Sequence, residues 1–172
     1  MSSQEVKKGI EYALAFATTG AGASFSIKTF IPLPVIDAVP QTLIVKTMSH
    51  QIASIYGYSA LKGLTTFTGI LVGSASGMKL ASEVITFIPV AGPGTSAVTT
   101  FALHMSTGIV LVIVFELLQA GLITEDYIQN TTSDDVGFLL NLATQVLLDI
   151  LRGNDGVDAT SEAVEKFTLQ NA

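Results

Sequence analysis

The chain has 172 residues, 49% hydrophobic and only 13% charged, with a formal net charge of −6. Ordinary soluble domains carry roughly 25% charged residues, so the composition points to one domain-sized unit that is either membrane-associated or a deeply buried bundle. The absence of cysteine excludes disulfides, thiolate metal sites and thiol catalysis. No basic patch interleaved with aromatic residues is present, so nucleic acid is not an expected partner.

Charge is unevenly placed. Residues 1–123 carry six lysines against five acids, a net of +1, and residues 124–172 carry nine acids against Arg152 and Lys166, a net of −7. The chain therefore reads as an apolar helical body over 1–123 followed by an acidic, water-soluble segment over 124–172. The opening residues lack the apolar run of a secretory signal peptide, so the N terminus is expected on the cytoplasmic side.

Taken in order, Ser2 and Glu5 have the spacing of a capping box, and a first helix is expected from there until Pro32 and Pro34 stop it, with bends at Gly20 and Gly22. Asp37 is placed to cap a second helix that runs to about Tyr56 and ends at Gly57. A third is expected over about Ala60 to Ile88, ending at the Pro89 to Gly94 breaker cluster, and a fourth from about Thr95 to Gln119, stopped near Gly121. At about 1.5 Å per residue these helices approach the roughly 30 Å of a hydrocarbon core. Ala97 to Phe115 is the best spanning candidate, weakened by His104 and the hydroxyl residues around it.

Beyond Thr132 the pattern changes. Val136, Leu139, Leu140, Ala143, Val146, Leu147, Ile150 and Leu151 form one apolar stripe, which predicts an amphipathic helix over 133–152 with Ser133 and two aspartates at its start and Arg152-Gly153 at its end. The rest is expected to be a flexible acidic tail, with at most a short helix near Ser161 to Phe167.

Thr29-Phe30-Ile31-Pro32 returns as Thr86-Phe87-Ile88-Pro89, and Met48-Ser49 returns as Met105-Ser106 in the same register. The repeat predicts an all-α fold of duplicated helical hairpins, about 5–57 and 60–121, forming a membrane-associated bundle with the C-terminal amphipathic helix added. Rows of small residues mark helix–helix interfaces. Gly69, Gly73 and Gly77 stand four apart on the third helix, and Gly9, Ala13, Ala17 and Ala21 do so on the first. Such rows serve either close packing within one chain or self-association.

Four polar positions stand out. Glu116 follows the most apolar run, where a carboxylate in lipid is a functional candidate, although its place near a helix end lets it reach water. His104 lies twelve residues earlier, too far along one helix to touch it. Lys79, paired with Glu83 at i,i+4, reads as a solvated face, and Asp37 as a helix cap. Lys46 and His50 form a polar edge on the second helix. The two histidines lack acidic or cysteine partners, so no metal site is expected. Asn154 to Asp158 is an incomplete calcium loop and reads as a turn. Gly92 to Ser96 lacks the lysine of a phosphate loop. With no catalytic template in the chain, neither an enzyme nor a bound cofactor is expected.

Ile31-Pro32-Leu33-Pro34-Val35-Ile36-Asp37, then Met48, Ile52 and Tyr56-Gly57, then Ile88-Pro89-Val90-Ala91-Gly92 resemble the uncharacterised helical family numbered 697 among the domains of unknown function. The resemblance covers about residues 25–120. It implies a helical hairpin domain of bacterial membrane proteins, at the inner membrane or its equivalent, that works beside a GTPase. This chain has no nucleotide-binding domain, so a GTPase would be a separate partner. The leading expectation is a non-enzymatic protein that associates with membrane lipid, forms a homo-oligomer through its small-residue faces and keeps both termini cytoplasmic. The alternatives are a soluble helical interaction or lipid-binding module, and a small channel or transporter suggested by the repeat with Glu116, His104 and Lys79.

Overall fold

A computed structural model describes residues 3–30, 38–58, 61–73 and 94–171, with side chains described at 3–19, 43–58, 61–73 and 97–170. Among these residues the chain forms seven helices and no strand: α1 Ser3–Phe30, α2 Ala38–Ile55, α3 Leu64–Gly73, α4 Gly94–Gln119, α5 Glu125–Asn130, α6 Ser133–Leu151 and α7 Gly156–Asn171.

The helix ends have local causes. α2 closes on a Schellman turn, in which Tyr58 N donates to Ala53 O (2.8 Å) and Gly57 N to Ser54 O (3.2 Å). Gly57 takes φ +81°, a left-handed conformation that a side chain would strain. α4 stops the same way at Gly121, with φ +68°. α6 begins at Ser133, as expected, and is capped by Thr132 just before it. Thr132 Oγ1 accepts from Asp135 N (3.3 Å), and Asp135 Oδ2 accepts from Thr132 N (2.9 Å), closing a capping box.

The acidic tail departs most from expectation. It is helical over most of its length: α7 covers sixteen residues, and Ala159, Ala163 and Phe167 are buried on one face at four-residue spacing. Asp155 Oδ1 accepts from Val157 N (2.7 Å) and Asp158 N (3.3 Å), capping the helix where a turn was expected. Phe167 fixes it in place, edge-on to Tyr127 of α5 (6.2 Å between centroids) and tilted on Phe138 of α6 (6.0 Å).

α4 is the axis of the molecule. From His104 to Leu118 every residue is buried, and 83% of its most apolar window is enclosed by protein. α1, α2, α6 and α7 all pack on it. Burying each of Ile109, Leu111, Ile113, Phe115 and Leu117 contributes about 1.5–3 kcal/mol. One core cluster runs from Val6 on α1 to Phe167 on α7, so it draws on both the apolar body and the acidic segment.

α1 is the principal neighbour of α4, and the two are antiparallel. A Cβ at Gly9 would come 2.6 Å from Val112 Cγ2, and one at Gly108 would come 2.3 Å from Ala13 Cβ and 3.1 Å from Ala13 Cα. Only glycine and alanine permit this approach. Among the described residues, α3 and α4, which belong to the expected second hairpin, meet only lightly. Met48 and Met105, and Ile52 and Ile109, share burial at the repeat's spacing, but any two core-facing helices would show that. The described part of the third helix is Leu64–Gly73; the rest of its expected span and both proline turns of the repeat lie outside the described residues.

Two alanine substitutions should therefore act with opposite sign. Gly108→Ala overpacks the seam and is expected to destabilise the protein by about 1–3 kcal/mol. Gly69→Ala, on an exposed stretch of α3 where a Cβ meets nothing within 4 Å, is expected to stabilise it by about 1 kcal/mol. Urea unfolding of both variants against the wild type checks the pair, and equal effects would mean that α1 does not lie on α4.

Candidate functional site

The α1–α4 seam carries polar groups at both ends of its small-residue row. Gly9 on Val112 and Ala13 on Gly108 set the register, which brings Ala17 level with His104 and Glu5 level with Glu116. His104, Gly108, Val112 and Glu116 stand four apart and so lie along one side of α4. The middle of the seam admits no polar group, because the backbones nearly touch there.

At one end, Tyr56 and Tyr58, delivered by the turn after α2, both stack on Phe115, with centroids at 5.4 and 5.6 Å. This places the Tyr56 hydroxyl beside Glu116. Glu116 is 2% exposed, so the expectation that it reaches water from the helix end is wrong: the rings on either side of Gly57 cover that end. Tyr56 Oη and Glu116 Oε1 are neighbours, yet neither makes a hydrogen bond of good geometry with a described residue. Burial raises the Glu116 carboxyl above its ordinary range, Tyr56 opposes the rise, and Glu5 adds to it. Burial, with the Glu116 charge beside it, also raises the Tyr56 phenol.

At the other end His104 is fully buried, and neither ring nitrogen has a hydrogen-bond partner among the described residues. Burial lowers it from 6.5 to about 4, so the imidazole is neutral at pH 7. Twelve residues of helix separate it from Glu116, about 18 Å. The two are too far apart to act as an acid–base pair on one group. Among the described residues no group of three or more His, Asp or Glu could hold a metal ion.

The remaining candidates fall elsewhere. Ala13 and Ala17 are fully buried, Ala13 against Gly108 of the same chain. Gly69 and Gly73 are exposed, and a Cβ at either would meet nothing within 4 Å, so among the described residues they make no close helix contact. Gly77, Lys79 and Asp37, and the side chain of Ala21, lie outside the described residues. Sequence reasoning singled out Lys46 only as a polar edge. It lines a groove of about 290 Å³ between α2 and α3, with Val45, Thr68, Gly69, Val72 and Gly73. Tyr56 was also missed as a partner of Glu116. The signal available was Tyr56-Gly57-Tyr58 at a helix end, which says where the rings leave the helix but not what they meet. No family model, curated protein or solved structure matches the chain.

The two buried groups bias stability in opposite directions. Between pH 6.5 and about 4 the unfolded chain takes up a proton at His104 that the folded one does not, so stability falls as the pH falls through that window. At about 1.4 kcal/mol per pH unit the full shift is worth about 3 kcal/mol. Glu116, raised in the folded state, contributes stability that is present in acid and lost as the pH rises through its folded value. Urea unfolding from pH 7 to pH 4 is expected to show a shallower loss for His104→Leu than for the wild type. Glu116→Gln is expected to be more stable than the wild type at pH 8, with that advantage shrinking in acid. A wild-type slope unchanged by His104→Leu would mean that this histidine is hydrated.

Proposed function

We propose that the chain is a non-enzymatic, membrane-associated helical protein that meets the bilayer from outside, keeping α4 as the core of a water-facing bundle. The observation that carries this reading is the sheathing of α4. Its 23-residue stretch Ala97–Gln119 is long enough to span and its most apolar window has a mean hydropathy of 2.1, yet its surface is already consumed by α1, α2, α6 and α7. The outer faces of α6 and α7 carry Asp134, Asn141, Gln145, Asp158, Glu162 and Glu165, which exclude this side of the bundle from hydrocarbon. Among the described residues, Leu43 of α2, 61% exposed and away from that acidic side, supplies apolar contact area suited to a lipid surface.

A second reading has one specific observation behind it: the same 23-residue stretch has the length and hydropathy of a spanning helix. In that case the sheath would have to leave α4 within the membrane. Fractionation separates the two. The protein is expected to sediment with membranes at neutral pH and to be released by alkaline carbonate. Retention after carbonate would select the spanning reading, and recovery of all the protein in the soluble fraction would remove membrane association altogether.

A further inference from the structure

The described α2–α3 region differs in charge from the rest of the surface. Between residues 38 and 73 the chain has Lys46 and Lys62 and no aspartate or glutamate, against the net −7 of residues 124–172. α2 packs on α1, α3 and α4, and α7 on α1, α4 and α6, so the two lie on different flanks of the central helix. The described surface is therefore polarised, with a basic, partly apolar flank and an acidic one.

The basic flank also has a shape. Val45, Val72, Thr68 and the bare backbones at Gly69 and Gly73 line the α2–α3 groove, and Lys46 stands at its edge. Lys46 is exposed and makes no ion pair among the described residues. Leu43, one turn earlier on α2 and 61% exposed, adds apolar area beside it. An apolar channel of about 290 Å³ beside an unpaired cation suits a molecule with an apolar chain and an anionic head.

We infer that the outward face of α2 and α3 is the membrane-docking face, taking an anionic phospholipid of the bilayer with part of its acyl chain in the groove and its headgroup on Lys46. This rests on the peripheral reading above and adds the lipid class and the face. The charge distribution orients the molecule: an anionic surface attracts this flank and repels α6 and α7, so the acidic helices point to the water. The groove then takes the apolar chain without exposing α4.

Flotation of the full chain with phosphatidylcholine vesicles, with and without phosphatidylglycerol, tests the inference. Binding is expected on vesicles containing phosphatidylglycerol, weakened by salt. Lys46→Glu should reduce it by more than about fivefold, the equivalent of about 1 kcal/mol for each lysine at an anionic surface. Gly69→Leu, which fills the groove, should also reduce it, whereas Lys166→Glu on α7 should leave it no weaker than about twofold below wild type. Circular dichroism of each variant confirms that it has folded. Equal binding to both vesicle types, or loss with Lys166→Glu but not Lys46→Glu, would overturn the assignment while leaving membrane association standing. A dimer abolished by Gly69→Leu, with no change in vesicle binding, would give the groove to a second copy of the chain and also overturn it. No binding to either vesicle would remove the peripheral reading as well.

Discussion

The close approach of α1 to α4 is the constraint on which the rest of the structure depends. At Gly108 there is no room for a methyl group against Ala13, and at Gly9 none against Val112. Two helices that come this near leave no gap for water along their middle, so the polar groups of the seam are confined to its ends. Once α1 occupies one side of α4, the α2 turn, α6 and α7 take the others, and this long apolar helix is enclosed. Dispersion over so many close atoms is individually small and collectively large. The position of His104 and Glu116 follows from this same contact, since both lie on the row of α4 that α1 covers or approaches.

Enclosure also explains why such an apolar chain does not require a lipid-spanning helix in this conformation. An apolar helix needs a non-aqueous surrounding, and protein supplies it as well as hydrocarbon does. The amphipathic stripe of α6 is one wall of that surrounding, with Leu139, Leu140, Ala143 and Val146 turned inward. Its opposite face is polar, which is what a wall against water must be. The atoms of Tyr56, His104, Ser106 and Glu116 that have no partner among the described residues are the cost of enclosing a helix that is not wholly apolar.

Much of this architecture was legible in local patterns. Gly57 and Gly121 end their helices because each local sequence needs a left-handed residue there, and the α6 stripe repeats with a helical period that nothing contradicts. α7 was not legible. Its inward positions are Ala159, Thr160, Ala163 and Phe167, too small or too polar for periodicity to stand out, and only Tyr127 and Phe138 show what Phe167 is for. The burial of Glu116 was hidden for a related reason. Its own helix suggests an accessible end, and the two tyrosine rings that cover it arrive from sixty residues away. The small-residue rows were visible as rows, but pairing Ala13 with Gly108 is a non-local fact, and so is the exposure of Gly69 and Gly73 among the described residues.

The claim that α4 is held by protein and not by lipid can be read directly, because the chain contains no tryptophan. Phe115→Trp keeps a large aromatic ring between Tyr56 and Tyr58 and introduces a single indole at the buried end of α4. With the protein bound to vesicles whose acyl chains carry bromine, the account expects emission almost unchanged from that on unbrominated vesicles, since the indole remains behind its protein sheath. Strong quenching by the brominated chains would place α4 in contact with hydrocarbon and contradict it.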